Sequence, residues 1–215
     1  NKFSKILVYS NIWVGLAVGA FTFISLSNVY LAHWSFVAFV SCATIFAYNY
    51  MRLIQIGVHE DNHEFRFSAW VSGHRFEVLS LSVFFGVLSL VFFKKIFQWE
   101  LLYIIALPAV VSLVYPLTFK KSTSGFSSLR VVPGLKLFLI SATWAFVTEV
   151  LPTFLYSHLD SSSVIEFFFR TILVMGLVIP FDIRDREVDA PVMRTIPQAM
   201  GADKARELSL FFIFL

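Results

Sequence analysis

A single cysteine, Cys42, stands in the whole chain, so no intrachain disulfide can form. Because it lies inside an apolar run, it carries no information about redox compartment. Charge is scarce as well. Asp, Glu, Lys and Arg make up 14% of the residues, against roughly a quarter in soluble globular domains, which excludes an ordinary water-soluble fold. The net charge of +3 is modest, and the basic residues gather in loops between apolar runs. That distribution belongs to membrane topology rather than to a nucleic-acid surface. No fixed-period repeat marks a solenoid, and no polar stretch divides the chain, so one helical domain over residues 1–215 is the economical reading.

What fills the sequence is apolar: 58% hydrophobic residues, with 26 Phe. A helix crossing the hydrocarbon needs about 20 mostly apolar residues. Six segments qualify: Ile6 to Leu26, Trp34 to Met51, Phe76 to Phe93, Leu101 to Phe119, Val131 to Phe154 and Val164 to Phe181. A further run from Leu208 begins a seventh. The expected fold class is therefore all-α, a polytopic membrane helix bundle of about seven spans. Lys2 and Lys5 before the first run resemble the start of a signal peptide, but the run is longer than a cleavable core, so an uncleaved span is expected. The chain opens on Asn1 and stops within an apolar run, and it reads as a C-terminally truncated fragment. Scattered Gly, Ser and Thr permit close helix approach. Pro108, Pro152 and Pro180 predict kinks or broken ends.

Orientation follows from counting cations. Of the 17 Lys and Arg, fourteen fall on the side of the N-terminus, only Lys94 and Lys95 on the other, and Arg170 within the sixth span. The positive-inside rule then places the N-terminus and the long polar loops, residues 54–75, 120–130 and 182–207, in the cytoplasm. Function is to be sought on that side.

The densest charge is Pro180-Phe181-Asp182-Ile183-Arg184-Asp185-Arg186-Glu187-Val188-Asp189. If the helix entering it continues, Asp182, Asp185 and Asp189 fall on one stripe. Three aligned carboxylates repel unless a cation sits among them, and a hard divalent ion such as Mg2+ takes such oxygen ligands. The other reading is a mixed-charge helix end, solvated, with Arg184 and Arg186 interleaved. Spacing alone leaves both open.

The loop continues through Arg194-Thr195-Ile196-Pro197 to Gly201. An Asp-x-x-Asp-x-x-x-Asp motif after a sixth span, followed by a basic residue, Thr-Ile-Pro and Gly, resembles the second signature of the UbiA superfamily of intramembrane prenyltransferases. Tyr115-Pro116 followed by Lys120 and Lys121 is similar to that family's basic connection after the fourth span, and Pro133-Gly134-Leu135-Lys136 opens the next span in a like manner. The resemblance implies a nine-span fold, two helices of which would lie beyond Leu215. It implies Mg2+ held by Asp182, Asp185 and Asp189 as catalytic and metal residues, and a prenyl diphosphate neutralised by Lys120, Lys121, Arg186 and Arg194 with Tyr115 nearby. The isoprenoid group would pass to a lipophilic, aromatic acceptor.

The first family motif, Asn-Asp-x-x-Asp, is degenerate here. The chain reads Asn49-Tyr50-Met51-Arg52-Leu53, and only the asparagine matches. Asn49 is carried over as a polar contact. Arg52 either meets phosphate through its guanidinium or anchors the helix at the cytoplasmic surface. The missing acids leave open a non-catalytic relative that binds lipid.

A third reading comes from His59-Glu60-Asp61-Asn62-His63, which fits the His-Glu-x-x-His pattern of a zinc protease. Glu64, His74 and Glu77 are available as a further ligand. Asp61 and Asn62 are poor helix-interior residues, and a solvated loop accounts for the same stretch. Arg170 lies six residues into its span and is expected to snorkel. Glu149 is read as lying close to the outer surface.

Overall fold

The computed structural model describes residues 8–28, 33–58, 73–114, 134–184 and 195–215. Regular structure among the described residues is entirely helical. In chain order the helices are α1 (Ile12–Asn28), α2 (Trp34–Val58), α3 (Arg75–Lys95), α4 (Trp99–Val114), α5 (Leu135–Ala145), a π-helical turn (Phe146–Val150), α6 (Leu151–Tyr156), α7 (Ser161–Arg184), α8 (Ile196–Met200) and α9 (Ala202–Phe214). Four stretches are long and apolar enough to cross a membrane: Trp34–Ile54, Arg75–Lys95, Leu135–Tyr156 and Ser161–Arg184. Ile12–Leu26 and Trp99–Ser112 are apolar but shorter.

A membrane environment also matches the distribution of side chains. Large apolar groups point outward, as at Phe76 (78% exposed) and Tyr103 (79%), while Ser82, Ser89, Thr148 and Asn49 are buried. Such polar side chains are tolerated in apolar helices where they have hydrogen-bond partners. Thr22 donates to the carbonyl of Val18, Thr44 to that of Val40, and Thr171 to that of Phe167, each four residues back.

The contacts form two compact units, Asn1–Pro116 with Val147–His158, and Leu117–Phe146 with Leu159–Leu215. In the first unit, α2 packs against α1, α3 and α4, and α6 packs against α1 and α4. The α1–α2 contact depends on Gly15 and Gly19. A Cβ on Gly15 would come 2.8 Å from the Ser41 carbonyl oxygen, and one on Gly19 would come 2.2 Å from the Ser41 hydroxyl. With lipid as apolar as leucine, such close backbone approach is what favours association. Phe36 is fully buried, edge-on to Tyr156 at 5.6 Å, and His33 stacks on the same ring at 3.9 Å.

In the second unit, α7 packs against α5, α8 and α9, around Leu137, Ile179 and Ala205. Met175, Ile183, Ile196 and Phe212 close over that core. Gly176 again admits a neighbour, since a Cβ there would lie 3.0 Å from the Ser209 carbonyl oxygen.

Helix boundaries depart from the sequence expectations in ways that have local causes. The first apolar run is not one continuous helix: Val8 and Tyr9 are helical, the chain turns at Ser10 and Asn11, and α1 starts at Ile12, because Asn11 adopts φ 58°, a left-handed conformation that a continuing right-handed helix excludes. The last helix begins at Ala202, six residues before the apolar run, after Gly201 turns the chain at φ 88°. The break expected at Pro152 takes the form of the π-helical turn Phe146–Val150. Proline offers no N–H to the carbonyl four residues back, here Thr148, and its ring crowds that oxygen; widening the preceding turn relieves the clash.

Candidate functional site

Asp182 belongs to the final turn of α7 and is buried, its side chain 3% exposed. The Lys136 ammonium lies 2.7 Å from Asp182 Oδ1, with the lysine side chain 21% exposed. Gly134 caps the start of α5, so Lys136 occupies that helix's first turn. A cation there opposes the helix dipole, at a cost of about 0.3–1 kcal/mol. The charge of Lys136 is therefore held by Asp182 and not by its own helix. Sequence reading counted Lys136 among the cytoplasmic cations and in the Pro133-Gly134-Leu135-Lys136 opening of its span, and gave it no partner. The pairing was not visible because Lys136 and Asp182 lie 46 residues apart, and nothing local ties α5 to α7.

Asp185, Asp189, Arg186 and Arg194 lie outside the described residues, as do Tyr115, Lys120 and Lys121. Among the described residues, no group of three His, Cys, Asp or Glu side chains is placed to hold a metal ion. The His-Glu-x-x-His stretch and Glu64 also fall outside them. Of its suggested extra ligands, His74 precedes α3 and Glu77 is exposed in the first turn of that helix.

Asn49 is completely buried, and its amide is engaged on both sides. Its Oδ1 accepts from Asn11 Nδ2 at 2.7 Å, and its Nδ2 donates to the Ser10 carbonyl at 3.0 Å. One turn along α2, Arg52 donates through Nη1 to the Tyr9 carbonyl. Both residues thus clasp the turn that leads into α1. The left-handed Asn11, whose carbonyl accepts the first bond of that helix, is held by the bond it donates to Asn49.

The segment after the acidic run is explained by local structure. Pro197 occupies the first turn of α8, where a missing N–H costs nothing. Gln198 Oε1 accepts the Thr195 backbone N–H at 2.9 Å, one half of a capping box. Gly201 supplies the turn into α9. Thr-Ile-Pro and the following glycine therefore specify a capped turn of helix after the acidic run in the sequence.

Two ionisable residues within apolar helices face protein. Glu149 points inward. It is buried in the π-helical turn, where Oε2 accepts from the Ser25 hydroxyl at 2.6 Å and Oε1 from the Thr153 hydroxyl at 3.4 Å. Arg170 does not snorkel, being 8% exposed on a face of α7 turned toward protein. In both cases distance from the helix end was legible in sequence, but the direction of the side chain was not, and direction decides whether a charge meets protein or headgroups.

At the surface, Asp160 precedes α7, and one of its carboxylate oxygens accepts the Ser163 N–H, the Ser162 hydroxyl and the Ser163 hydroxyl, each at 2.9 Å. Those bonds, led by the Ser163 N–H, hold its pKa down from 3.8 to about 2.

No family model, curated protein or solved structure matches this chain.

Proposed function

We propose that this chain is a membrane-embedded prenyltransferase of the UbiA type, seven spans of a nine-span bundle, with its N-terminus and acidic loop on the cytoplasmic side. It moves an isoprenoid group from a prenyl diphosphate to a lipophilic, aromatic acceptor. The observation that carries the reading is Asp182. The first aspartate of the Asp-x-x-Asp-x-x-x-Asp run is drawn into the protein at the end of an apolar helix, with its carboxylate held against a cation. A merely solvated, mixed-charge helix end would leave that carboxylate in water.

The donor set fits Mg2+ by its chemistry, since Asp182, Asp185 and Asp189 offer hard carboxylate oxygens and nothing softer. When bound, the ion supplies positive charge to a departing diphosphate. Lys120, Lys121, Arg186 and Arg194 add cationic donors that hold the diphosphate as its carbon–oxygen bond breaks and both electrons leave with it. Tyr115 stands at the start of that basic connection. The apolar helices exclude water from the allylic cation, and their aromatic faces attract it without trapping it. Asn49 and Arg52 act at one remove, by holding the turn into α1.

The test is release of diphosphate from a prenyl diphosphate by purified protein in detergent with magnesium. Asp185→Asn is expected to lower it roughly a hundredfold or more, the scale of losing one preorganised charge interaction in a transition state. Unchanged turnover rejects the assignment.

A second reading is favoured by a specific observation. Tyr50 and Leu53 stand where the family's first motif carries acids, and the adjoining Asn49 and Arg52 are engaged with main chain, which suits a non-catalytic relative that binds a polyprenyl lipid. Under that reading, lipid copurifies with the protein and no diphosphate is released on adding magnesium.

A further inference from the structure

The last turn of α7, which carries Asp182, follows Pro180. A proline there has no N–H for the Gly176 carbonyl and its ring crowds that oxygen, so the helix can change direction at this point. The carbonyl accepts instead from the Ser209 hydroxyl of α9, at 2.7 Å. On the other side of the proline, the Lys136 ammonium of α5 meets Asp182 Oδ1, also at 2.7 Å. Between these two contacts, Ile179 shares a core with Leu137, the neighbour of Lys136, and with Ala205, one turn before Ser209. The proline turn is therefore held by α9 before it and by α5 after it.

We infer that Ser209 is a positioning residue for Asp182: its bond to the Gly176 carbonyl sets how α7 passes through Pro180, and thereby holds the carboxylate where the Lys136 ammonium meets it. Asp182 lies six residues beyond Gly176, about 9 Å along the axis at the helical rise. Over that lever, a change of about 10° in direction moves the carboxylate by about 1.5 Å, some three times the width of the roughly 2.7–3.2 Å range of an N–H···O hydrogen bond. Without the serine, the orphaned oxygen has to turn toward another donor in apolar surroundings, and the turn that follows shifts with it. What Asp182 does once in place rests on the prenyltransferase reading given above; where it sits does not.

The experiment is amine labelling of the purified, folded protein in detergent with an N-hydroxysuccinimide ester of acetic acid, read at each lysine by mass spectrometry. The exposed Lys94 and Lys95 of α3 serve as internal standards. Only a neutral amine attacks the ester, so an ammonium paired with a carboxylate is acetylated slowly. Asp182→Asn, which removes the pair, is expected to speed Lys136 labelling roughly tenfold, the scale of one charge-assisted hydrogen bond. Ser209→Ala is expected to speed it about fivefold, the scale of one hydrogen bond between helices. Ser209→Thr, which keeps the hydroxyl, should restore the wild-type rate. In a Pro180→Ala background, where residue 180 regains its N–H, Ser209→Ala should change nothing. Thermal melting establishes that each variant is folded, and if Ser209→Ala does not fold, Ser209→Cys, a weak donor of similar size, carries the same expectation. A serine that only adds stability would lower the melting temperature and leave Lys136 labelling of the folded protein where it was. That result, equal effects with and without Pro180, or equal labelling of wild type and Asp182→Asn overturns the inference. Labelling needs no turnover, so diphosphate release is scored apart: the expected pattern in a protein that releases none keeps the inference and removes the prenyltransferase reading, and release with unchanged labelling does the reverse.

Discussion

Ser209 donates its hydroxyl to the carbonyl of Gly176 at 2.7 Å, the acceptor that Pro180, four residues on, leaves without a backbone donor. Proline within α7 frees that oxygen, and a neighbouring helix supplies the missing hydrogen bond, as apolar surroundings demand. Gly176 makes this possible, because it lets α9 approach closely enough for the serine to reach. Ser209→Ala is therefore expected to destabilise the protein by about 1 kcal/mol in detergent melting. In a Pro180→Ala background, where residue 180 regains its N–H, the same change should cost much less. Equal losses in the two backgrounds would show that the serine does something else.

Asn49 offers a sharper division between a structural and a ligand-facing role. Asn49→Ala leaves the Asn11 amide and the Ser10 carbonyl, both at the buried turn into α1, without the partners they have now. A loss of about 2 kcal/mol is expected in protein free of any ligand. A residue kept only to touch substrate would leave the melting temperature of the ligand-free protein where it was.

Ser25 and Glu149 should be energetically coupled. They lie 124 positions apart in sequence and 2.6 Å apart in space, between α1 and the π-helical turn. A double-mutant cycle with Ser25→Ala and Glu149→Leu is expected to return a coupling of about 1 kcal/mol, the range of polar contacts between helices in membranes. Additive single losses would mean that the hydrogen bond contributes nothing measurable.

Asp160 gives a pH dependence whose sign is set by its hydrogen bonds. Its carboxyl titrates at about 2 in the folded protein against 3.8 ordinarily, so the folded state binds the proton more weakly than the unfolded chain. Its stabilising contribution is full above 3.8, declines as the pH falls, and is gone once the pH has passed below about 2. Wild type should melt above Asp160→Ala at pH 6, and the gap should shrink steadily between pH 4 and pH 2. A gap that stayed constant would point to a loss of packing and not of charge.

The helical class was legible because it is a local property, and four of the expected spans, those starting at Trp34, Phe76, Val131 and Val164, overlap stretches long and apolar enough to cross a membrane. Even the larger shifts, at Asn11 and Gly201, trace to single residues with left-handed backbone. The candidate site was legible only in part. Asp182 was marked by its spacing, but its pairing with Lys136 was not, nor was the engagement of Asn49 by the Asn11 amide and the Ser10 carbonyl.

What the amino-acid order determined alone was therefore what depends on near neighbours: helix or turn, apolar or charged, capped or kinked. Which polar groups meet was decided by tertiary structure. In an apolar medium each buried donor or acceptor needs a partner, and the partner that satisfies it is chosen by how distant helices pack. Lys136 with Asp182, Glu149 with Ser25, and Ser209 with the oxygen that Pro180 abandons are all pairings of that kind.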